Sequence, residues 1–344
     1  MLTQFFLEYG LFLAKTATLV VAVVIIIGSL VTLIRSVREH SHDRLEIKSI
    51  NHRFEEMSDI LNNELLSDHE LKQQKKARQA EEKTRSKAAK HGQAPRPRVF
   101  ALNFEGDLHA TGAATLREEI SAVLQVARKQ DEVFLRLESE GGLVHAYGLA
   151  ASQLARVRDR GVRLVVAVDK VAASGGYLMA CVADKIVAAP FAILGSIGVV
   201  AQIPNFHRLL KKHEVDLELH TAGQYKRTLT LFGENTDAAR AKFQEELEDT
   251  HVLFKAFVSE NRPGMAIDKI ATGEHWFGTR ALALRLIDEI KTSDDYLLER
   301  SKDADIYQVT YRERQNLSSR LSRGLVNLAL GLRGSVEKAW SRSV

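Results

Sequence analysis

From residue 99 onward the chain alternates short apolar runs with longer stretches whose apolar residues recur every three or four positions. Residues 99–104 read as a strand. Residues 114–128 put Leu116, Ile120, Val123, Leu124 and Ala127 on one face of a helix. Two further apolar runs, 132–137 and 162–168, flank a helical stretch at 146–158. This strand–helix–strand rhythm predicts an α/β fold with a largely parallel sheet and helices packed on its faces. Strands are expected to continue at 185–189 and 197–203. Helices are expected at 205–213, 237–260 and 280–286.

Upstream the pattern differs. Residues 16–34 form a run of 19 positions without a formal charge, rich in Val, Ile and Leu. As a helix that run spans about 28 Å, close to the hydrocarbon thickness of a bilayer. Residues 1–10 lack Lys and Arg, and Arg35 follows the run where a cleavage site would need small residues, so a retained N-terminal transmembrane helix is expected in preference to a signal peptide. Residues 35–98 are polar and rich in helix formers, and Gly92, Pro95 and Pro97 end them. The expected organisation is a short segment 1–15, an anchor 16–34, a charged helical or disordered tether 35–98, a catalytic domain 99–292, and a C-terminal extension 293–344. Within that extension leucines recur every three or four residues among arginines, the pattern of a basic amphipathic helix at a membrane surface or partner groove.

Charge sharpens this division. Net charge is +4, but residues 71–98 and 312–344 carry +13 between them, leaving about −9 elsewhere. The basic pI belongs to appendages, so no nucleic-acid partner is expected. Cys181 is the single cysteine, which excludes an intrachain disulfide, and its apolar neighbours predict a buried thiol. The twelve histidines form no HExxH and there is no paired CxxC, so neither a metal nor another cofactor is expected.

Candidate chemistry lies in four short motifs. Ser174 sits in Val-Ala-Ala-Ser-Gly-Gly-Tyr, ending at Tyr177, and Lys226 follows in Thr-Ala-Gly-Gln-Tyr-Lys. Between them runs Gly195-Ser196-Ile197-Gly198, and upstream lies Ser139-Glu140-Gly141-Gly142. Together they supply a hydroxyl on a glycine-flanked turn, an amine to take its proton, and tight turns whose N–H groups could hold an oxyanion. A lysine acts as a base only when neutral, which at an ordinary pKa describes about one molecule in 2500 at pH 7. A base lysine therefore needs an apolar enclosure. Leu217, Leu219, Leu229 and Leu231 around Lys226 permit one. His145 lies after the glycine turn, but no paired Asp is evident, which leaves it structural or substrate-lining.

The order and spacing of these motifs resemble the signal peptide peptidase A family of Ser-Lys serine proteases, and the stretch from Val144 to Gly148 looks most like its SohB branch. The resemblance covers about residues 99–292. It implies a ClpP/crotonase-like spiral fold, with Ser174 as nucleophile, Lys226 as general base, Ser196 orienting the lysine, and the N–H groups of Gly142 and Gly175 as oxyanion donors. Glu140 stands where the family usually has proline, which bears on the rigidity of that turn. The resemblance further implies a ring-like homo-oligomer that cleaves membrane-associated peptides or misfolded proteins without ATP, at the bacterial inner membrane. The charges after the anchor would put the catalytic domain in the cytoplasm, whereas the family points to the periplasm. A crotonase-like acyl-CoA enzyme and a catalytically silent membrane scaffold remain alternatives.

Overall fold

The computed structural model describes residues 10, 15–24, 28, 44–90 and 96–312. They divide into a body, Glu46–Thr310, and a second unit drawn from Met1–Leu45 and Tyr311–Val344. Within the second unit, residues 16–24 of the expected anchor are helical, and Leu19, Val20, Val21, Val23 and Val24 are exposed. Among the described residues no helix is long and apolar enough to cross a membrane. Residues 25–27 and 29–34 of that expected anchor, 35–43 of the tether, and the amphipathic tail from 313 lie outside the described residues.

The chain enters the body through β1 (Arg44–Ser49), α1 (Ile50–Leu65) and α2 (Asp68–Lys90). Then come β2 (Arg98–Glu105), α3 (Ala113–Val126), β3 (Glu132–Glu138), α4 (Val144–Asp159) and β4 (Arg163–Val168). The short pieces β5 (Val171–Ala173), α5 (Gly175–Ala180), β6 (Lys185–Ala188) and β7 (Ile193–Gly195) follow. After α6 (His207–Lys212) and the long α7 (Asp237–Asn261) come α8 (Ile267–Ile270), β8 (His275–Phe277), α9 (Gly278–Ala283) and β9 (Glu289–Ile290). The body closes with α10 (Ser293–Arg300) and β10 (Asp305–Arg312).

Seven strands form one sheet in the order β1-β10-β2-β3-β4-β6-β9, parallel from β10 to β9. A second sheet, β5-β7-β8, is parallel between β5 and β7 and antiparallel between β7 and β8. Alternate residues of the large sheet enter separate cores. Leu102, Phe104, Leu135, Leu137 and Val166 pack with Leu116 and Ile120 of α3 and Leu154 of α4. Val99, Ala101, Phe134, Val165 and Val187 pack with Tyr296 and Leu297 of α10. Both faces are covered, which is why these strands read as continuous apolar runs.

The boundaries drawn from sequence are corrected at three places. The expected extension 293–344 begins inside the fold, because α10 and β10 belong to the body's core. Ile306 and Val309 are buried, and β10 pairs in register with β2 from Asp305 opposite Arg98. The expected tether 35–98 also contributes to the body. Ile50 is buried, and the Asn51 side chain donates to the carbonyls of Ser301 and Ala304 while accepting from Ile306 N–H. The expected strand at 197–203 is absent; β7 stops at Gly195, where φ values of 97° at Gly195 and 51° at Ser196 turn the chain away.

Candidate active site

Three chain segments converge at the carboxyl ends of parallel strands, where α/β sheets place their ligands. β3 runs on to Ser139, which bridges to Ala172 of β5. Its N–H donates to Val171 O at 2.9 Å, and its carbonyl accepts from Ala173 N–H at 3.0 Å. β5 pairs with β7, so Ala173 stands opposite Gly195. Ser174 and Ser196 are therefore the first residues beyond two paired strand ends.

Ser174 occupies φ 51°, ψ −118° at the head of α5. A non-glycine residue is strained there, and such strain persists only where surrounding contacts over-determine it. Those contacts are the bond from Ser174 N–H to Gly195 O at 2.8 Å and the α5 turn closed by Leu178 N–H on Ser174 O. The α5 helix itself is buried throughout, including Gly175 and Gly176. Behind it, the Tyr177 hydroxyl donates to Leu286 O at 2.9 Å. Cys181 is fully buried, and desolvation pushes its thiol up to about 12, so it is no nucleophile.

The glycine turn lies directly against this serine. Gly141 has φ +94°, and a Cβ there would come within 2.7 Å of Gly175 N and 2.8 Å of Ser174 Cβ. Only glycine permits that conformation at that approach. Neither Gly142 N–H nor Gly175 N–H is bonded to an acceptor among the described residues. Both glycines and Ser174 line one cavity of about 330 Å³. Its remaining wall is largely apolar: Val144 and Gly148 of α4, Leu178 of α5, Val199, and Leu253, Phe254 and Phe257 of α7. An apolar pocket ending at a hydroxyl and two free N–H groups can seat a side chain, present a carbonyl to the hydroxyl, and stabilise the resulting oxyanion.

Of the residues singled out from sequence, Ser174, Gly142 and Gly175 meet at this cavity, and Ser196 is half-buried one strand over, its N–H donating to Glu274 O at 2.7 Å. Lys226 does not join them in the single chain. It is exposed, and Leu217, Leu219 and Leu231, expected to enclose it, are 48%, 52% and 42% exposed. The segment carrying Lys226 folds on itself, through Phe206 N–H on Leu231 O, stacking of Phe206 on Phe232, and Asn205 bonds to Thr230 and Gly233. His145 and Glu140 are exposed and do not line the cavity. Among the described residues no group of three or more His, Cys, Asp or Glu is placed to hold a metal ion.

Sequence reading missed the pocket residues of α7, because a helix 80 residues downstream gives no local sign of facing Ser174. It also missed Ser139 and Tyr147 as partners. Their hydroxyls lie 2.6 Å apart, and Tyr147 reaches on to Asp107 O at 2.8 Å. The only local trace was a serine at the head of the glycine turn and a tyrosine one helical turn into α4.

Known proteins share much of this sequence. Residues 4–154 match the N-terminal region of peptidase family S49, and residues 156–307 match peptidase family S49 itself. The protein named Probable protease SohB of Haemophilus influenzae is 51% identical over 344 aligned positions, covering 96% of each chain. A second one of that name, from Buchnera aphidicola subsp. Schlechtendalia chinensis, is 49% identical over 86% of this chain and its own full length. Among solved structures, a mutant of the 1510-N membrane-bound stomatin-specific protease with a substrate peptide aligns over 68% of this chain and all of its own, at TM-score 0.41 and 12% identity. With both of its family regions matched and SohB relatives near half-identical along most of its length, the chain belongs to peptidase family S49 and is a serine peptidase.

Proposed function

We propose that this chain is a membrane-anchored, ATP-independent endopeptidase in which Ser174 is the nucleophile and Lys226 the general base. The observation that carries the reading is the placement of Ser174, strained at the head of α5 on the rim of an apolar cavity, between the free N–H groups of Gly142 and Gly175. Ser174 Oγ attacks the scissile carbonyl and its proton passes to the neutral Lys226 amine. The oxyanion accepts from the Gly142 and Gly175 N–H groups. The C–N bond then breaks, and the leaving amine takes the proton from Lys226. Water repeats the sequence on the acyl-enzyme and restores Ser174. Ser196, one strand over, orients the lysine amine.

The base is in place only when the segment around Lys226 closes over Ser174 and water is excluded. Its exposed Leu217, Leu219 and Leu231 are the surface that such closure would bury. Packing of copies in a ring-like homo-oligomer, or a bound substrate, would supply the cover. The same body supports a ClpP/crotonase-like spiral reading, with strand ends rather than a helix bundle holding the chemistry. The substrates on this reading are membrane-associated peptides, such as signal-peptide remnants, or misfolded chains at the bacterial inner membrane. The apolar run 16–34 acts as a single-pass anchor, the basic tail touches lipid, and the catalytic body lies on the periplasmic side. Neither metal nor nucleic acid takes part.

Labelling by a serine-directed fluorophosphonate and cleavage of a quenched apolar peptide test this reading together. Both signals are expected in the full-length protein and absent in Ser174→Ala. Lys226→Ala is expected to lose as much as Ser174→Ala, since nucleophile and base act as one unit. Undiminished cleavage in either variant overturns the dyad. Fusing a periplasm-dependent reporter after Val344 reads the side of the membrane.

A further inference from the structure

Glu140 leaves the oxyanion turn without the proline that would stiffen it, yet the turn must hold Gly142 N–H within tenths of an ångström. The structure offers a substitute outside the turn. Gly141 N–H donates to Ser139 Oγ at 3.0 Å. Ser139 Oγ lies 2.6 Å from Tyr147 Oη, and the Tyr147 hydroxyl donates to the carbonyl of Asp107 at 2.8 Å. The carbonyl can only accept, so Tyr147 must give it its proton, and Ser139 must then give its own proton to Tyr147. Every donor in the chain Gly141 N–H, Ser139 O–H, Tyr147 O–H has one acceptor, and the direction of each bond is determined. Tyr147 is fully buried, and burial also pushes its phenol up, which keeps it a donor.

The same ring reaches the other donor. A Cβ on Gly175 would collide with the Tyr147 ring, so ring and backbone are in direct contact at Gly175. Phe104 meets the ring edge-on at 6.5 Å and fixes its tilt. Asp107 in turn is held by its own loop, its carboxylate accepting from Thr111 N–H and Oγ and from His109 N–H. One buried side chain thus packs its Cβ–Cγ end against the backbone of Gly175 and tethers the Gly141–Gly142 turn through its hydroxyl and Ser139.

We infer that Tyr147, with Ser139, is a positioning residue that sets the spacing of the two oxyanion donors, taking the place of a rigid turn. This rests on the reading of Ser174 as nucleophile and of Gly142 and Gly175 as donors. It makes a prediction that simple packing does not. Loss of the hydroxyl relay should weaken binding of the tetrahedral state and leave binding of the ground state alone.

The test uses the full-length protein in detergent. Tyr147→Phe keeps the ring and removes the relay; Ser139→Ala removes it from the other end. Each is expected to lower kcat by about 10–100-fold with KM changed less than about 3-fold. A peptide aldehyde, which forms a tetrahedral adduct with the serine, should lose affinity in parallel with kcat, while the matching peptide alcohol binds as before. The double variant should cost no more than the worse single one, because both cut one chain. Equal loss of aldehyde and alcohol affinity, additive losses, or unchanged kcat in either variant would overturn the inference. If Tyr147→Phe fails to fold, Ser139→Ala carries the same comparison. Should Ser174→Ala remain active, it is the nucleophile reading that fails; if Ser174→Ala is dead and Tyr147→Phe unimpaired, only the relay fails.

Discussion

Ser174 and Ser196 leave adjacent parallel strands at the same register, each one residue past the pair Ala173–Gly195 and each at φ 51°. Ser174 N–H donates to Gly195 O, so the two turns are tied by the last rung of the ladder. The strand pairing itself brings the second serine's backbone beside the first. On the proposed mechanism, in which Ser196 orients the base and forms no bond to substrate, Ser196→Ala is expected to lower kcat by about 10–100-fold, less than the complete loss expected in Ser174→Ala. Cleavage kinetics of the two variants on one peptide check the ranking; equal loss would give Ser196 a direct part in the chemistry.

Gly148 occupies the interior of α4, where glycine costs about 1 kcal/mol of helix stability relative to alanine. Nothing lies within 4 Å of a Cβ built there, so no packing contact calls for glycine, and the residue lines the cavity beside Ser174. Gly148→Val should leave the protein at least as stable and shift cleavage from substrates with bulky apolar side chains before the scissile bond toward those with small ones. A peptide library varied at that position reads the shift. An unchanged profile would remove this cavity from substrate selection.

Two neighbouring carboxylates should give stability a pH dependence of opposite signs. Burial raises Asp131, but bonds from Arg98 and from the Arg98 and Arg128 N–H groups outweigh it and hold the carboxyl below its usual range. Its stabilisation is present above the unfolded carboxylate pKa and is lost as pH falls through the lower folded value. Glu132 is 2% exposed, and burial pushes it up against the pull of Arg300, the Tyr296 hydroxyl and Arg163. The folded state then holds its proton more tightly, so stability gains as pH falls from above that raised value toward about 4.3, the unfolded glutamate value. Glu132→Gln should flatten the mildly acidic side of a urea-midpoint profile, and Asp131→Asn the side below about pH 4. A Glu132→Gln profile parallel to wild type would refute the assignment.

The contacts of Ile50 and Asn51 place the start of the stable body well before residue 98. A chain beginning at Arg44 should therefore unfold at a higher temperature than one beginning at Arg98, which loses the buried Ile50 and the three bonds of the Asn51 side chain. Asn51→Ala in the longer chain should reproduce part of that loss, on the order of 1–3 kcal/mol, since it leaves Ile306 N–H and two carbonyls without their partner. Thermal melts of the three proteins decide it, and coincident melts would return residues 44–65 to the role of a tether.

Local pattern alone determined the elements of β2 to β4 and α3, α4 and α7, because strand and helix periodicities are written into adjacent residues and a two-faced parallel sheet leaves unbroken apolar runs. It also singled out the short glycine-flanked motifs of Gly142, Ser174 and Gly175 that meet at one cavity, since a glycine-flanked serine and a glycine pair are local requirements of a tight turn. What the tertiary structure decided is everything that depends on distance along the chain. Ser139, Ser174 and Ser196 become neighbours only through strand pairing. Phe254 and Phe257 face Ser174 only because α7 returns across α5. Tyr147 gains its meaning from Asp107, 40 residues upstream. β10 and Asn51 enter the body through partners some 200 and 250 residues away, and no local pattern announces them. Lys226 shows the converse: its leucines suggested an enclosure, but apolar residues in sequence make a pocket only when other elements pack on them, and among the described residues Leu217, Leu219 and Leu231 stay about half exposed while Lys226 is exposed.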